Sequence, residues 1–372
     1  LAIFLGFFAT GSVARAQSFP PAWSSNATYA AGDLVVEGGN IYRAIKPVIS
    51  HIANPAVNYT DWQLNQVQSN TTLMVGVGQV FPDLATAWTY ALYCRVSDGV
   101  YLHFYISTNN GNFSESFSAP FLLDHGSGAR IAILGDLTSH ITFSFSGTNG
   151  MIIDTGHSLN TLSAVTLQST AGNTVIGIKA DGNASIAAVS DTVITGFNTC
   201  VQATNNASVT LTSTMNMLGF SHDALDAEDL GSIVFNGGSI FGPGANTQAT
   251  GLFSTSGGEI KAIGSVINAC QQGALASEGG RIDLISGTVS GCGFGIIATY
   301  GGSIDFNGGA ATSCGIGVDA SERGYIDISD GSATGNLIYD LTCSAGGYIT
   351  AASASYVTTH QDGAVNGAFI TQ

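Results

Sequence analysis

Between Gly257 and Ser344 the apolar and polar positions recur every 22 residues, in four uninterrupted units: GGEIKAIGSVINACQQGALASE, GGRIDLISGTVSGCGFGIIATY, GGSIDFNGGAATSCGIGVDASE and RGYIDISDGSATGNLIYDLTCS. Ile260, Ile282, Ile304 and Ile326 share one column, and Cys270, Cys292 and Cys314 share another. The units are rich in Gly and β-branched residues and contain no helix-forming run. A segment this short cannot bury its own apolar face, but it can do so by stacking on copies of itself. Each unit therefore predicts one coil of a parallel β-solenoid.

Upstream the same pattern is present but irregular. Ile186, Val209 and Ile233 continue the isoleucine column at intervals of 23 and 24 residues. A five-residue excess near Pro243–Thr247 then separates Ile233 from Ile260, which predicts a loop on one face of the solenoid. From residue 100 the runs YLHFYIS, RIAILGD, ITFSFSG and MIIDTG are short, β-prone and bounded by turn residues. The solenoid is placed at 100–350. Phe197 and Phe220 fall in the cysteine column, so the three cysteines are expected to fill a narrow inward corner as small hydrophobes. A helix is predicted over 80–96, within a capping segment at 72–99. Asp83 is its N-cap, and Leu84, Trp88, Ala91, Leu92 and Tyr93 form one apolar face able to cover the open first coil. After Ile349 the pattern fades. Residues 351–372 are expected to form a tail or partial cap, and the solenoid end or a flat face is a candidate surface for homo-oligomers, as a trimer or end to end.

Composition narrows the partners. Charged residues are 9% of the 372-residue chain, against about 25% in ordinary globular proteins. Lys and Arg total 9, and the net charge is −16. Nucleic acid and anionic membranes need a basic surface, so neither is an expected partner. Residues 1–17, LAIFLGFFATGSVARAQ, read as the apolar and small-residue parts of a secretory signal peptide, with Ala14-Arg15-Ala16 as the cleavage pattern. No later stretch is apolar enough to span a bilayer, and an extracellular or cell-surface location is expected.

Two resemblances follow from these residues. With its N-terminal helix, Gly-rich coils and period near 22, the region 72–350 resembles the pectin-lyase-like right-handed β-helix superfamily. That group includes polysaccharide lyases, polygalacturonases, phage tailspikes and secreted adhesins. The segment 18–66 has Trp23, Tyr29, Gly32-Asp33, Val35, Gly39, Tyr42, Ala44, Pro55 and Trp62 in order, and resembles the small chitin-binding module of chitinases. The resemblance implies sugar stacking on Trp23, Tyr29, Tyr42, Tyr59 or Trp62. The other reading is that these aromatics are the core of a very small domain. Where that module's binding members carry paired tryptophans, this chain has Ile45-Lys46-Pro47.

Catalytic signals are sparse. The Asn-Thr-Asp, Asp-Asp, Gly-His-Gly and Arg-Ile-Lys motifs of the polygalacturonase branch are absent, and the regular coils carry only Lys261, Arg281 and Arg323 as bases. Asp283, Asp305 and Asp327 each follow the inward Ile, so strand alternation turns them outward as a ladder about 4.8 Å apart. Repulsion between neighbours is about 1 kcal/mol in water, and a Ca²⁺ ion would relieve it. A solvated face, a cation site and a carboxylate pair at the roughly 5 Å of retaining glycosidases are the three readings. The densest polar group is His222-Asp223 with Asp226, Glu228 and Asp229. It offers a base and an acid beside the predicted loop, although Glu228 is expected to align with the turn residues Glu278 and Glu322. Asp124-His125 and Asp154/His157 are isolated pairs. The leading expectation is a secreted glycan-binding β-helix. The alternatives are a polysaccharide-cleaving enzyme and a self-associating extracellular appendage.

Overall fold

The structure, a computed structural model, describes residues 20–48, 54–107, 112–138, 140–170, 175–356, 361–365 and 369–371. The signal peptide expected at 1–17 lies outside the described residues. The chain divides into two compact units, residues 1–65 and 66–372.

In the smaller unit, Leu34–Glu37 pairs antiparallel with Asn40–Ala44 through a two-residue turn. Both turn residues, Gly38 and Gly39, have positive φ, which is the geometry that keeps a tight hairpin in line with strand twist. The strand starting at Trp62 lies on the other side of Asn40–Ala44. Tyr29, Val35, Ile41, Tyr42, Ala44, Val48, Trp62 and Leu64 are buried apolar residues of this unit.

The larger unit is a right-handed parallel β-helix of three sheets. The first sheet has 13 strands, from Thr71–Val75 to Phe369–Thr371. The second has 11, from Asn112–Phe117 to Ser355–Tyr356, and the third has 11, from Phe121–Leu122 to Gln361–Val365. Each complete coil contributes one strand to each sheet, in that order, and the first sheet has one further strand at either end. The predicted columns coincide with the register: Ile260 pairs with Ile282, Ile282 with Ile304 and Ile304 with Ile326. All four are fully buried. The second sheet stacks Ile267, Val289, Ala311 and Ala333 inward, and the third stacks Ala274, Ile296, Val318 and Leu341. Early coils are longer, as at Leu73 paired with Phe104 and Phe104 paired with Ile133. Between Leu73 and Phe104 the extra residues include the helix Leu84–Ala91, which is why the period is hard to read there.

Coiling does not fade after Ile349. Ile349 pairs with Ile370, and Leu341 with Gln361, so another coil follows the one expected to be last. The predicted excess near Pro243–Thr247 is the eight-residue connection between Ser239–Phe241 and Thr250–Ser254. Cys270, Cys292 and Cys314 are buried free thiols, as are the remaining three cysteines. The next residue in their column is Asn336. Its Oδ1 accepts from the Cys314 N–H at 3.0 Å and its Nδ2 donates to buried Asp340 at 2.8 Å.

Helix α1 spans Leu84–Ala91, shorter than the predicted 80–96. Asp83 caps it by accepting from the Thr86 N–H, and Glu115 accepts from the N–H groups of Leu84 at 2.8 Å and Ala85 at 3.1 Å. Two carboxylates thus take three of the four free donors at a positive helix end. Trp88 packs on Phe104, Phe121 and His125 and covers the first coil's interior. Tyr93 is 80% exposed, because the helix has ended before it, and Tyr90 takes the buried place against Phe81.

One glycine column is sterically required. A Cβ on Gly295 would lie 2.4 Å from the carbonyl oxygen of Gly317 in the next coil, and the backbone itself would have to move. Gly295→Ala should therefore cost about 1–3 kcal/mol. Urea denaturation of the two proteins would measure this, and equal midpoints would contradict the packing described.

Candidate functional site

The N-terminal aromatics offer little open ring surface. Trp62 is 0% exposed, and it meets Tyr29 edge to face at 5.1 Å. The Tyr29 hydroxyl accepts from the Ser24 N–H and donates to the Ser24 carbonyl, and Tyr42 is buried with its phenol pKa pushed up by desolvation. These three rings build the core of the small unit and are not placed for stacking on a sugar. Trp23 and Tyr59 are half-buried. Lys46, in the place of that module's paired tryptophans, forms an ion pair with Asp61 at 2.5 Å.

The outer face of the first sheet has a different character. Here two outward rows flank each inward isoleucine. One row runs Glu259, Arg281, Ser303, Tyr325, Tyr348, Phe369, and the other runs Lys261, Asp283, Asp305, Asp327, Thr350, Thr371. The aspartate ladder is real, but its carboxylates are engaged locally. Asp283 accepts from Arg281 Nε at 2.9 Å, Asp305 from the Asn307 N–H at 3.2 Å and Asp327 from the Ser329 N–H at 2.9 Å. Two of the three thus close turns by bonding the backbone two residues on. Asp283 is also buried, contrary to the outward solvated ladder expected. Among the described residues no three His, Cys, Asp or Glu side chains group to hold a metal ion, so the geometry does not support a Ca²⁺ site on this ladder.

Sequence reading missed the aromatic half of this face. Tyr325 is 39%, Tyr348 36% and Phe369 61% exposed, on three consecutive coils. The two tyrosine rings are near-parallel, 18° apart, with centroids separated by 5.7 Å. Each tyrosine hydroxyl reaches a threonine of the other row one coil on: Thr350 for Tyr325 and Thr371 for Tyr348, both at 3.3 Å. Held at both ends, the rings lie across the sheet and do not stand out from it. Beside them is a shallow depression of about 310 Å³, lined by Arg281, Ser303, Ile304, Asp305, Tyr325 and Asp327. The available signal was the residue preceding the isoleucine column, which changes from charged or small to aromatic in the last coils.

The His222 group lies on the third sheet. Asp223 sits between Thr199 and Thr250, and Asp226 between Gln202 and Phe253. Leu225 and Ala227 face the core, so alternation puts Asp226 on the outer surface. Nevertheless Asp223 is only 2% and Asp226 only 4% exposed. Asp223 bonds the exposed His222 ring through Nδ1, and this contact raises the imidazole pKa. Asp226 Oδ2 accepts from Gln202 Nε2 at 2.7 Å, whereas Oδ1 is buried with no hydrogen-bond partner. Burial, reinforced by Asp223 and Glu228, pushes Asp226 up to about 7. Glu228 is half-buried, and desolvation, with Asp229 and Asp223, raises it too. Ala227 pairs with Ser254 and Ser254 with Ala276, so Glu228 falls in register with Thr255 and Ser277. Asp229, not Glu228, is the counterpart of Glu278; both have positive φ. Glu228 thus opens the same turn as Thr255 and Ser277, its carbonyl accepting from the Gly231 N–H at 2.8 Å, while its side chain adds to the negative charge around Asp226.

A second buried pair offers no nucleophile. Cys94 Sγ lies 3.5 Å from His125 Nε2, but that nitrogen also faces the Ala91 carbonyl at 3.0 Å, and Nδ1 accepts from the Ser127 N–H. The acceptor role of Nδ1 puts the proton on Nε2, where it is donated to Ala91. No lone pair remains to take the thiol proton. Desolvation pushes Cys94 up to about 12 and lowers His125, as expected of buried, inert groups.

The raised Asp226 has a consequence for stability. Its folded pKa of about 7 exceeds the unfolded value near 3.9, so the folded state holds a proton the unfolded chain has released. Stability then falls as pH rises from about 4 to about 7. His222 is also raised, so the stability from its Asp223 contact is complete below about 6.5 and lost as pH passes its folded value, which adds to the same trend. Asp226→Asn should remove the first contribution and leave the Asp223 contact, the main cause of the second, in place. It should be more stable than wild type by roughly 2–4 kcal/mol at pH 8 and no more stable near pH 4. Denaturation curves at the two pH values measure this, and a variant less stable at pH 8 would contradict it. Comparison with protein-family models, curated proteins and solved structures returned no match.

Proposed function

We propose that this chain is a secreted or surface-displayed glycan-binding protein, in which the first sheet of the β-helix is the main contact face. The observation that carries this reading is the exposed Tyr325–Tyr348–Phe369 row beside Asp305, Asp327 and the threonines. Sugars present apolar CH faces that stack on aromatic rings, and hydroxyls that hydrogen-bond to carboxylate and hydroxyl oxygens. A row repeating with the coils suits a polymer, because weak contacts in series raise avidity without a deep pocket. The net charge of −16 favours neutral or cationic glycans over acidic ones.

The resemblance of 72–350 to the pectin-lyase-like superfamily is consistent with this role, as is a leader at 1–17. The segment 18–66, which resembles a chitin-binding module, would add a second contact through Trp23 and Tyr59, a weak one because its other aromatics are in the core. Cleavage of the polymer has less support. The carboxylates of the aromatic face are engaged by Arg281 and turn amides, and the His222 cluster lies on another sheet.

The test is a broad glycan array probed with wild type and with the Tyr325→Ala/Tyr348→Ala double variant. Each ring stacking on a sugar is worth about 0.5–1.5 kcal/mol, so the double variant should lose about tenfold or more in affinity for whatever the wild type binds. Wild-type protein that binds no glycan, or a double variant that binds as well, would refute the proposal.

A further inference from the structure

The third sheet is apolar on its outer face over the coils from Thr250–Ser254 to Tyr339–Ser344. One row there carries Phe253, Leu275 and Ile297, and the other carries Phe294, Ile316 and Tyr339. All but Ile297 are half-buried, whereas Ala274, Ile296 and Val318, which face the core from the same strands, are 0% exposed. Leu337 and Ile338 come directly before Tyr339 and are 82% and 57% exposed, which extends the apolar surface. The other sheets turn different residues outward in these coils: Lys261, Asp283 and Asp305 on the first, and Asn268, Ser290 and Thr312 on the second. Parallel strands covered on both faces read as near-continuous apolar runs, not as alternations. The third-sheet strands QGALA and FGIIA read that way, and the first-sheet strands RID and SID do not. A contiguous apolar surface of this kind marks a place where another molecule docks.

We propose that this face is the contact between two copies of the chain, which pair through their third sheets about a two-fold axis. Charge and area both favour a second copy. Each chain carries a net charge of −16, so two copies repel wherever their carboxylates meet. The two rows hold one carboxylate over these five coils, Asp319, which accepts from the Thr342 hydroxyl at 2.7 Å, and they hold no base. Like-charged copies can therefore approach here, and a basic partner finds little to attract it. At 3.3 Å per residue and 4.8 Å per strand, the 11 strands of the sheet present about 17 by 50 Å, close to the roughly 800 Å² that each partner gives to a standard interface. The apolar strands form its core, and the polar strands around Lys179 and Gln202 form part of its rim. A single patch that meets its own copy does so isologously and closes as a dimer, whereas a trimer would need a second, different patch. The pairing does not depend on the glycan-binding reading, because the Tyr325–Tyr348–Phe369 row is on the first sheet.

Sedimentation of the full chain over a dilution series should show a dimer that dissociates to monomer. Leu275→Lys/Ile316→Lys places an ammonium group on each row and should weaken the dimer at least about tenfold, with the circular dichroism of wild type retained. Tyr325→Ala/Tyr348→Ala should dimerise as wild type does. Hydroxyl-radical footprinting of wild type needs no variant to fold: oxidation of Phe294, Leu337 and Tyr339 should fall as the dimer forms, and that of Tyr325 should not change. Wild type that stays monomeric throughout overturns the proposal and leaves the face to a different partner. A dimer that survives the folded lysine variant, or that forms without protecting Phe294 and Tyr339, overturns the assignment to the third sheet. A trimer overturns the two-fold pairing.

Discussion

Parallel pairing between equivalent positions of successive coils is the constraint on which the rest of the molecule depends. Backbone hydrogen bonds fix neighbouring strands about 4.8 Å apart, so whatever stands at one position meets its counterpart above and below. Inward, this turns Ile260, Ile282, Ile304 and Ile326 into one continuous apolar file. A change at one coil is felt by two neighbours. The same spacing forces glycine at Gly295, where a methyl group would occupy the space of the next carbonyl oxygen.

Outward, the same rule produces rows, and a row takes its character from a few substitutions. On the first sheet one row passes from Glu259 and Arg281 through Ser303 to Tyr325, Tyr348 and Phe369, so that charge gives way to aromatic surface within five coil steps. On the third sheet Gln202 gives way to Asp226 and then Phe253. The longer flanking side chains shield the shorter carboxylate, which is how an outward residue comes to be buried. Burial, reinforced by Asp223 and Glu228, raises Asp226, and its Oδ1 has no hydrogen-bond partner.

The cysteine column and the small N-terminal unit show the same economy of volume. Phe197, Phe220, Cys270, Cys292 and Cys314 fill one narrow corner, and where the column reaches Asn336 its polar side chain is satisfied by Cys314 and Asp340. In a unit of some sixty residues the aromatics cannot serve two purposes. A domain that small buries a low fraction of its surface, so Tyr29, Tyr42 and Trp62 supply its interior. Among the described aromatics of this unit, Trp23 and Tyr59 are the ones left partly open.

The period of 22, the inward columns, the helix near Trp88 and the loop after Phe241 were all legible in the sequence, because each depends on spacing along the chain and on side-chain volume. The Tyr325–Tyr348–Phe369 row was present one position before the isoleucine column but carried no periodic signal, since only its last three members are aromatic. What the tertiary structure alone decided is which polar groups are dry and which are engaged. Asp283 and Asp226 look alike on paper, yet one is neutralised by Arg281 and the other is walled in by Gln202 and Phe253. Desolvation is set by neighbours one full coil away, and the chain does not record which of them are tall enough to exclude water.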